Sequence, residues 1–227
     1  MLFKNRTTGG QRLAEELANY AHRSDVIVLG LPRGGVPVAF EVAQALKAPL
    51  DVLVVRKLGV PDQKELAMGA IASGDVRIIN QHIVNSLHIS KKTIIKVAAQ
   101  EERELQRREH LYRGDRPFPD LHKRTVILVD DGLATGATMW AAIAAVKGQH
   151  PAQIVVAVPV AASSTCQKLQ SVADQIVCPA TPDPFCSVGL WYENFPQTTD
   201  DQVRELLFPS QTSQNTKLNS PALGVNT

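Results

Sequence analysis

Short apolar runs alternate with helical patterns along most of the chain. Runs rich in β-branched residues, as in strands buried on both faces of a parallel sheet, occur at residues 26–30, 50–56, 125–129 and 154–159. Apolar positions at helical spacing predict helices at residues 11–21, 36–47, 90–113, 163–172 and 200–208. A further short strand is predicted at residues 175–178. This alternation predicts an α/β fold with a mostly parallel central sheet flanked by helices.

Other segments lack this regularity. We predict a flexible loop followed by a short strand at residues 57–73, with residues 76–79 as its hairpin partner. Residues 180–198 are aromatic and irregular. Residues 209–227 are rich in Ser, Thr, Asn and Gln, so we expect a disordered tail after a single domain that spans residues 1–208.

Composition narrows the classes of partner. The chain has 227 residues, of which 44% are hydrophobic, and a formal net charge of +2. A core is therefore available, and neither nucleic acid nor a membrane is indicated as a partner. The N-terminus lacks the apolar core of a signal peptide, and the three cysteines match no zinc spacing and no disulfide framework. We expect a reduced, cytoplasmic protein.

The most informative stretch follows the apolar run at residues 125–129. Two carboxylates, Asp130 and Asp131, stand where the predicted strand ends, and a small-residue loop leads to a predicted helix start near Thr138. Free N–H groups at a helix N-terminus bind anions, and Gly136 lets a ligand approach the backbone. Because the carboxylates would repel a bare phosphate, they indicate sugar hydroxyls or a hydrated cation on the same ligand. A sugar phosphate fits both parts.

This stretch resembles the phosphoribosyl diphosphate (PRPP) signature of the type I phosphoribosyltransferases. The match runs Asp130-Asp131-Gly132-Leu133-Ala134-Thr135-Gly136-Ala137-Thr138. The alternative is a buried strand that ends in a turn, with Asp131 and Thr135 as caps. The resemblance covers about residues 1–208 and is greatest to a bacterial group of uncharacterised phosphoribosyltransferase-like proteins. It implies the type I phosphoribosyltransferase fold, with a small irregular hood at about residues 180–198.

The resemblance also implies roles for individual residues. The expected catalytic set comprises Asp130, Asp131, Arg33, Arg56 and Lys57. Of these, Asp130 and Asp131 would hold the ribose hydroxyls and, through water, Mg²⁺ that is bound mainly by PRPP. The 5′-phosphate would bind at Ala134, Thr135, Gly136, Ala137 and Thr138. The diphosphate would bind at Arg33, Gly34 and Gly35, and the acceptor hood would contain Phe185, Trp191 and Tyr192.

Each of these assignments has a simpler alternative. The segment Leu31–Gly35 is also typical of a plain turn between a strand and a helix. Arg56 and Lys57, which the family places at the base of a catalytic loop, can equally be solvated charges. The aromatic residues of the hood can instead seal the edge of the sheet. Ala134 stands where the 6-oxopurine enzymes carry an Asp that acts as a base, so hypoxanthine and guanine are poor candidates as acceptors.

The resemblance implies an enzyme of nucleotide metabolism that moves phosphoribose from PRPP to a nitrogenous acceptor and releases diphosphate. The expected partners are PRPP and a small-molecule acceptor, and whether the chain forms a homodimer is left open. A regulatory protein that senses PRPP or a nucleotide without turnover is the alternative. A phosphohydrolase or phosphorolytic enzyme that uses the same pocket is the third, because a fold does not choose among such functions.

Overall fold

A computed structural model of the chain describes residues 2–208, apart from the side chains of residues 64 and 65. The tail predicted at residues 209–227 lies outside the described residues. The strands are β1 Val26–Gly30, β2 Leu50–Val52, β3 Val55–Val60, β4 Gln63–Ala72, β5 Val76–Ile79, β6 Thr125–Val129, β7 Gln153–Ala157 and β8 Gln175–Val177. The α-helices are α1 Arg6–Glu16, α2 Gly35–Leu46, α3 Gln81–Ser86, α4 Lys91–Arg113, α5 Ala137–Lys147, α6 Ser163–Leu169 and α7 Asp200–Leu207.

The central sheet is wholly parallel, in the order β2-β1-β6-β7-β8. Strands β1, β6 and β7 are buried on both faces almost throughout, as the continuous apolar runs predicted. Along β1, Ile27 and Leu29 join the core cluster that contains α5 and α6 residues, whereas Val26 and Val28 join the cluster that contains α1 and α2 residues. The predicted α/β class with helices on both faces of a parallel sheet is confirmed. Between residues 2 and 208, no helix is both long and apolar enough to cross a bilayer.

A second, antiparallel sheet in the order β3-β4-β5 corrects two predictions. The run at residues 50–56 is not one strand, because β2 ends at Val52 and β3 begins at Val55. The stretch at residues 57–73 is therefore a hairpin with its turn at Pro61–Asp62, rather than a loop and a short strand. The predicted pairing of residues 76–79 is confirmed as β4–β5. Movement of this hairpin stays a prediction.

Helix α1 begins earlier than the predicted residue 11. Asn5 caps it: the Asn5 side chain accepts a hydrogen bond from Thr8 N at 3.0 Å, and Thr8 Oγ1 accepts one from Asn5 N at 3.1 Å. This capping box sets the start of the helix where the side chains of residues 6–8 give no apolar period. As a result, Arg6 is the first residue of α1 and lies at the carboxyl edge of the central sheet.

Arg113, at the end of α4, ties the two sheets together. Its side chain is buried, with Nε 3.0 Å from Asp51 Oδ1 and Nη2 3.1 Å from the Val52 carbonyl. The hydroxyl of Ser73 accepts a hydrogen bond from Val54 N at 3.0 Å, beside the same guanidinium. The base of the hairpin is therefore fixed to the end of β2.

Candidate functional site

Two loops meet at the carboxyl edge of the central sheet. Strands β1 and β6 are parallel neighbours with Gly30 opposite Val129, and Leu31 N donates to the Val129 carbonyl at 2.9 Å. From β1 the chain continues to β2 on one side, whereas β6 lies on the other. Such a reversal of strand order opens a crevice where ligands of α/β proteins bind. The loop after β1 and the loop after β6 both border this crevice.

Glycines allow the two loops to touch. A Cβ atom on Gly34 would lie 2.1 Å from Asp131 Oδ2, and one on Gly35 would lie 2.8 Å from Asp130 Cα. No side chain fits at either position, so the first loop packs its backbone directly against the acidic pair. The Pro32–Arg33 peptide bond in this loop is cis. The structure thus brings Arg33, Gly34 and Gly35 together with the two carboxylates.

The acidic pair is half-buried, and each carboxylate accepts one hydrogen bond within the described residues. Asp130 Oδ1 accepts a hydrogen bond from Asp131 N at 2.8 Å. Burial, followed by the charge of Asp131, raises the pKa of Asp130 well above its ordinary value. Burial also raises the pKa of Asp131, although Arg6 opposes this shift. A ligand that brings hydroxyl donors or a cation would therefore stabilise the ionised pair.

The second loop leads into α5 with open backbone donors. Gly136 begins this helix at φ +72° and supplies no side-chain cap. Ala134, Thr135, Ala137 and Thr138 are exposed around it. The first N–H groups of α5 therefore face solvent at the positive end of the helix dipole, which suits an anion. On its other side, the loop is fixed by the Thr165 hydroxyl, which donates to the Ala134 carbonyl.

The sequence profile described as "Phosphoribosyl transferase domain" matches residues 3–186, more than half of the chain. The chain belongs to the phosphoribosyl transferase family. It is 47% identical over 202 residues to a Mycobacterium tuberculosis protein named "Putative phosphoribosyl transferase Rv0571c", an alignment that covers 89% of this chain and 45% of the relative. The chain thus spans about half the length of the curated relatives it matches. Protein TT1426 from Thermus thermophilus has a similar structure, with TM-score 0.83 and 39% identity over 92% of this chain and 99% of that one.

The predicted cations of the chain lie in different places. Arg33 belongs to the first loop, and its Nη1 lies 4.0 Å from Asp200 Oδ1 at the start of α7. Arg56 lies on β3, with Nε and Nη2 at 2.8 and 2.6 Å from Glu101 Oε2 on α4. Together with Lys57 it lines a cleft of about 810 Å³ between the hairpin and α4. Arg56 and Lys57 therefore do not end a central strand, because β2 stops at Val52, and their catalytic role stays a prediction.

The three predicted hood residues differ in how far they are buried. Tyr192 is only 2% exposed, and its ring packs against Phe3 at 5.5 Å and Phe195 at 5.0 Å between centroids. Neighbouring rings cover Tyr192 in this structure, and its place in an acceptor hood stays a prediction. Its hydroxyl donates to the Asp131 carbonyl at 2.6 Å. Phe185 and Trp191 stack at 6.2 Å and are half-buried, and Trp191 Nε1 is buried without a partner among the described residues.

Arg6 is the site residue that the sequence did not indicate. Its Nε donates to Asp131 Oδ2 at 2.8 Å, and its Nη1 donates to the Pro196 carbonyl at 2.6 Å. Its guanidinium carbon lies 3.7 Å from the centroid of the Phe195 ring. No local pattern marks Arg6, because these partners lie far along the chain. The family resemblance extends over residue 6 but implies no role for it.

The carboxylate oxygens of the site suit a Mg²⁺ ion whose remaining ligands come from a substrate and from water. Asp130 and Asp131 offer carboxylate oxygens, the ligands that Mg²⁺ prefers, and Asp131 Oδ2 is shared with Arg6. Within residues 2–208, no group of three or more His, Cys, Asp or Glu side chains is arranged to hold a metal. The carboxylates can take part through water while Arg6 keeps its contact.

Proposed function

We propose that the protein transfers phosphoribose from PRPP to a nitrogenous acceptor and releases diphosphate. The observation that carries this proposal is the packing of Gly34 against the carboxylate of Asp131, at a distance that excludes any side chain. It joins the two loops into one surface with an anion site at each side and carboxylates between them. PRPP presents a phosphate, a ribose with two hydroxyls and a diphosphate in the same order.

The roles follow from the chemistry of each part of this surface. The N–H groups around Gly136 would bind the 5′-phosphate at the start of α5. Asp130 and Asp131 would accept hydrogen bonds from the ribose hydroxyls, which relieves the cost of burying two carboxylates. The amides of Gly34 and Gly35, with Arg33, would receive the charge that develops on the leaving diphosphate.

In the proposed reaction the lone pair of the acceptor nitrogen forms a bond to C1′ of the ribose. The bond between C1′ and the diphosphate oxygen breaks, and its electron pair leaves with the diphosphate. Mg²⁺, when bound with PRPP, neutralises part of the diphosphate charge. Ala134 has no group that takes the acceptor's proton, so any proton leaves to water or to the diphosphate. This favours an acceptor whose attacking nitrogen is neutral or already deprotonated.

A regulator that binds PRPP without turnover is the second candidate, and the buried state of Tyr192 favours it. Neighbouring rings occupy the surface on which an acceptor was expected to stack. Trp191 and Phe185, which stack on each other and are half-buried, are then the predicted hood residues that remain partly accessible to an acceptor. A cytoplasmic location and a homodimer stay predictions from sequence.

The test is a panel of nucleobases and amines incubated with Mg²⁺ and PRPP, in which diphosphate release is followed. A transferase releases diphosphate only with the correct acceptor and forms the corresponding nucleotide. A hydrolase releases diphosphate without any acceptor. A regulator binds PRPP and releases no diphosphate with any member of the panel. Asp131→Asn serves as the control, because it removes the proposed ribose contact.

A further inference from the structure

Arg6 occupies a position that its helix does not favour. It is the first residue of α1, where the positive end of the helix dipole disfavours a cation. The Asn5–Thr8 capping box fixes the backbone there, so the side chain must extend from that point. A cation retained at such a position indicates that its interactions outside the helix matter more than the local preference.

The guanidinium touches both loops of the site. Nε is 2.8 Å from Asp131 Oδ2 and 3.4 Å from the point where a Cβ atom of Gly34 would lie. The side chain is only 11% exposed, yet Nη2 makes no hydrogen bond in the part of the chain that the structure describes. Of the three guanidinium nitrogens, Nη2 is therefore the one left to donate to a ligand, next to the Nε that binds Asp131.

In the free protein the Arg33 guanidinium lies beside Asp200, although its loop is proposed to bind the diphosphate. Its Nη1 lies 4.0 Å from Asp200 Oδ1, and Asp200 also accepts a hydrogen bond from the Tyr112 hydroxyl. With Arg33 directed toward α7, the cation in contact with the acidic pair is Arg6. Two half-buried carboxylates next to a leaving diphosphate need such a positive charge, because like charges at close range repel strongly where water is scarce.

We propose that Arg6 is a substrate-binding residue that pairs with Asp131 in the free protein and contacts the diphosphate when PRPP binds. This inference rests on the proposed function. Hydroxyls and hydrated Mg²⁺ would take over part of the Asp131 charge and release Nε, and the edge formed by Nε and Nη2 would then donate to the diphosphate oxygens. A guanidinium binds two oxygens of a phosphate at once, which a lysine ammonium does not do in the same planar geometry.

The purely structural alternative is that Arg6 only fastens the hood, that is, holds residues 195–196 against α1. Its contacts with Phe195 and the Pro196 carbonyl join α1 to residues 195–196. A fastening role predicts lower stability on substitution and an equal loss of affinity for every ligand. A diphosphate contact predicts a selective loss for ligands that carry a diphosphate. These two roles are distinguished by comparing the affinities for different ligands rather than by measuring activity.

The experiment measures affinity by calorimetry for Mg²⁺·PRPP, Mg²⁺·diphosphate and ribose 5-phosphate. We expect Arg6→Gln to weaken PRPP and diphosphate binding at least tenfold and to change ribose 5-phosphate binding less than threefold. Arg6→Lys keeps the charge without the planar fork, so its losses should be intermediate. Arg12→Gln is the matched control, since Arg12 is exposed on the same helix and pairs only with Glu15 and Glu16 among the described residues.

Two results would overturn the inference. Arg6 variants that bind all three ligands like the wild type would exclude a substrate contact, and equal losses for all three would assign Arg6 to the hood alone. If Arg6→Gln does not fold, Arg6→Lys carries the same comparison. A wild-type protein that binds no PRPP would instead contradict the proposed function, so the two failures are distinguishable.

Discussion

Gly34 faces Asp131 so closely that a Cβ atom at Gly34 would lie 2.1 Å from Asp131 Oδ2. The loop after β1 therefore packs its backbone directly against the acidic pair, and the position of each depends on the other. Their strands are neighbours in the sheet but lie almost a hundred residues apart in the chain. The close approach is a property of the folded site that the order of residues alone does not show.

Gly34→Ala should damage the site more than the fold. The added methyl group must displace the Asp131 carboxylate, so we expect PRPP affinity to fall more than tenfold, with a loss of about 1–3 kcal/mol in unfolding free energy. Gly148→Ala is the control, because Gly148 has an ordinary helical φ of −62° and its nearest neighbour would be 3.3 Å away. Retained PRPP affinity in Gly34→Ala would mean that the two loops bind independently.

Asp130→Asn should abolish most PRPP binding without a loss of stability. Burial disfavours the charged form of Asp130, so the neutral amide should leave the free energy of unfolding at pH 7 equal to or above that of the wild type. Loss of hydrogen bonds to a charged group should lower PRPP affinity about 10- to 100-fold. Urea unfolding and calorimetry on the same preparation check both. A clear loss of stability with unchanged binding would make Asp130 a structural cap.

The control for that substitution is Asp25→Asn, at the opposite end of β1. Hydrogen bonds from Arg23 and Thr125 lower the pKa of Asp25 to about 2. Its stabilising effect should be complete at pH 7 and should disappear as the pH falls from the ordinary value of 3.8 toward about 2. Asp25→Asn should therefore lose stability at pH 7, by at most about 1 kcal/mol because the pair is exposed, and should keep PRPP affinity.

Much of the fold could be predicted because its strands are buried on both faces. The runs that became β1 and β6 are continuous and apolar, and only a parallel sheet covered by helices buries such runs. The run at residues 50–56 was misassigned for the same reason. Leu53 and Val54 are buried between the two sheets, and apolar periodicity does not reveal that the chain changes its partner strand there.

The site could be predicted only where its residues lie close together in the sequence. Asp130, Asp131 and Gly136 lie in one short motif, whereas Arg6 contacts Asp131 across 125 positions. The surroundings of Tyr192 could not be predicted, because an aromatic residue in an irregular segment can be either a binding face or a core residue. The rings of Phe3 and Phe195, which decide between these, come from opposite ends of the domain.

The role of Arg56 can be tested by substituting Arg56 and its partner Glu101 separately. Arg56 and Glu101 form a close pair between β3 and α4, so a purely structural role predicts the same loss, about 1 kcal/mol, for Arg56→Gln and Glu101→Gln. A catalytic role predicts that only Arg56→Gln lowers turnover or PRPP affinity.

Hydrogen exchange across residues 55–72 should also slow when Mg²⁺·PRPP binds, if the hairpin closes over the site. Unchanged exchange would exclude that closure.

Trp191→Ala should separate an acceptor face from a core residue. In a background with Trp140→Phe, the fluorescence of Trp191 should change when the correct acceptor joins PRPP, because an aromatic base would stack on the indole. Trp191→Ala should then lower acceptor affinity and spare PRPP affinity. A loss of thermal stability alone, with every tested ligand unaffected, would place Trp191 in the sealed cluster and favour the regulator.

The most direct test of the central claim is a calorimetric titration of Mg²⁺·PRPP into the unmodified protein. We expect saturable binding of one PRPP per chain that Asp131→Asn removes. Ligand at a hundredfold its dissociation constant adds about 2.7 kcal/mol to stability, roughly 5–10 °C in melting temperature for a chain of this size. No saturable binding at millimolar PRPP, with no change in melting temperature, would contradict the assignment of these loops to PRPP.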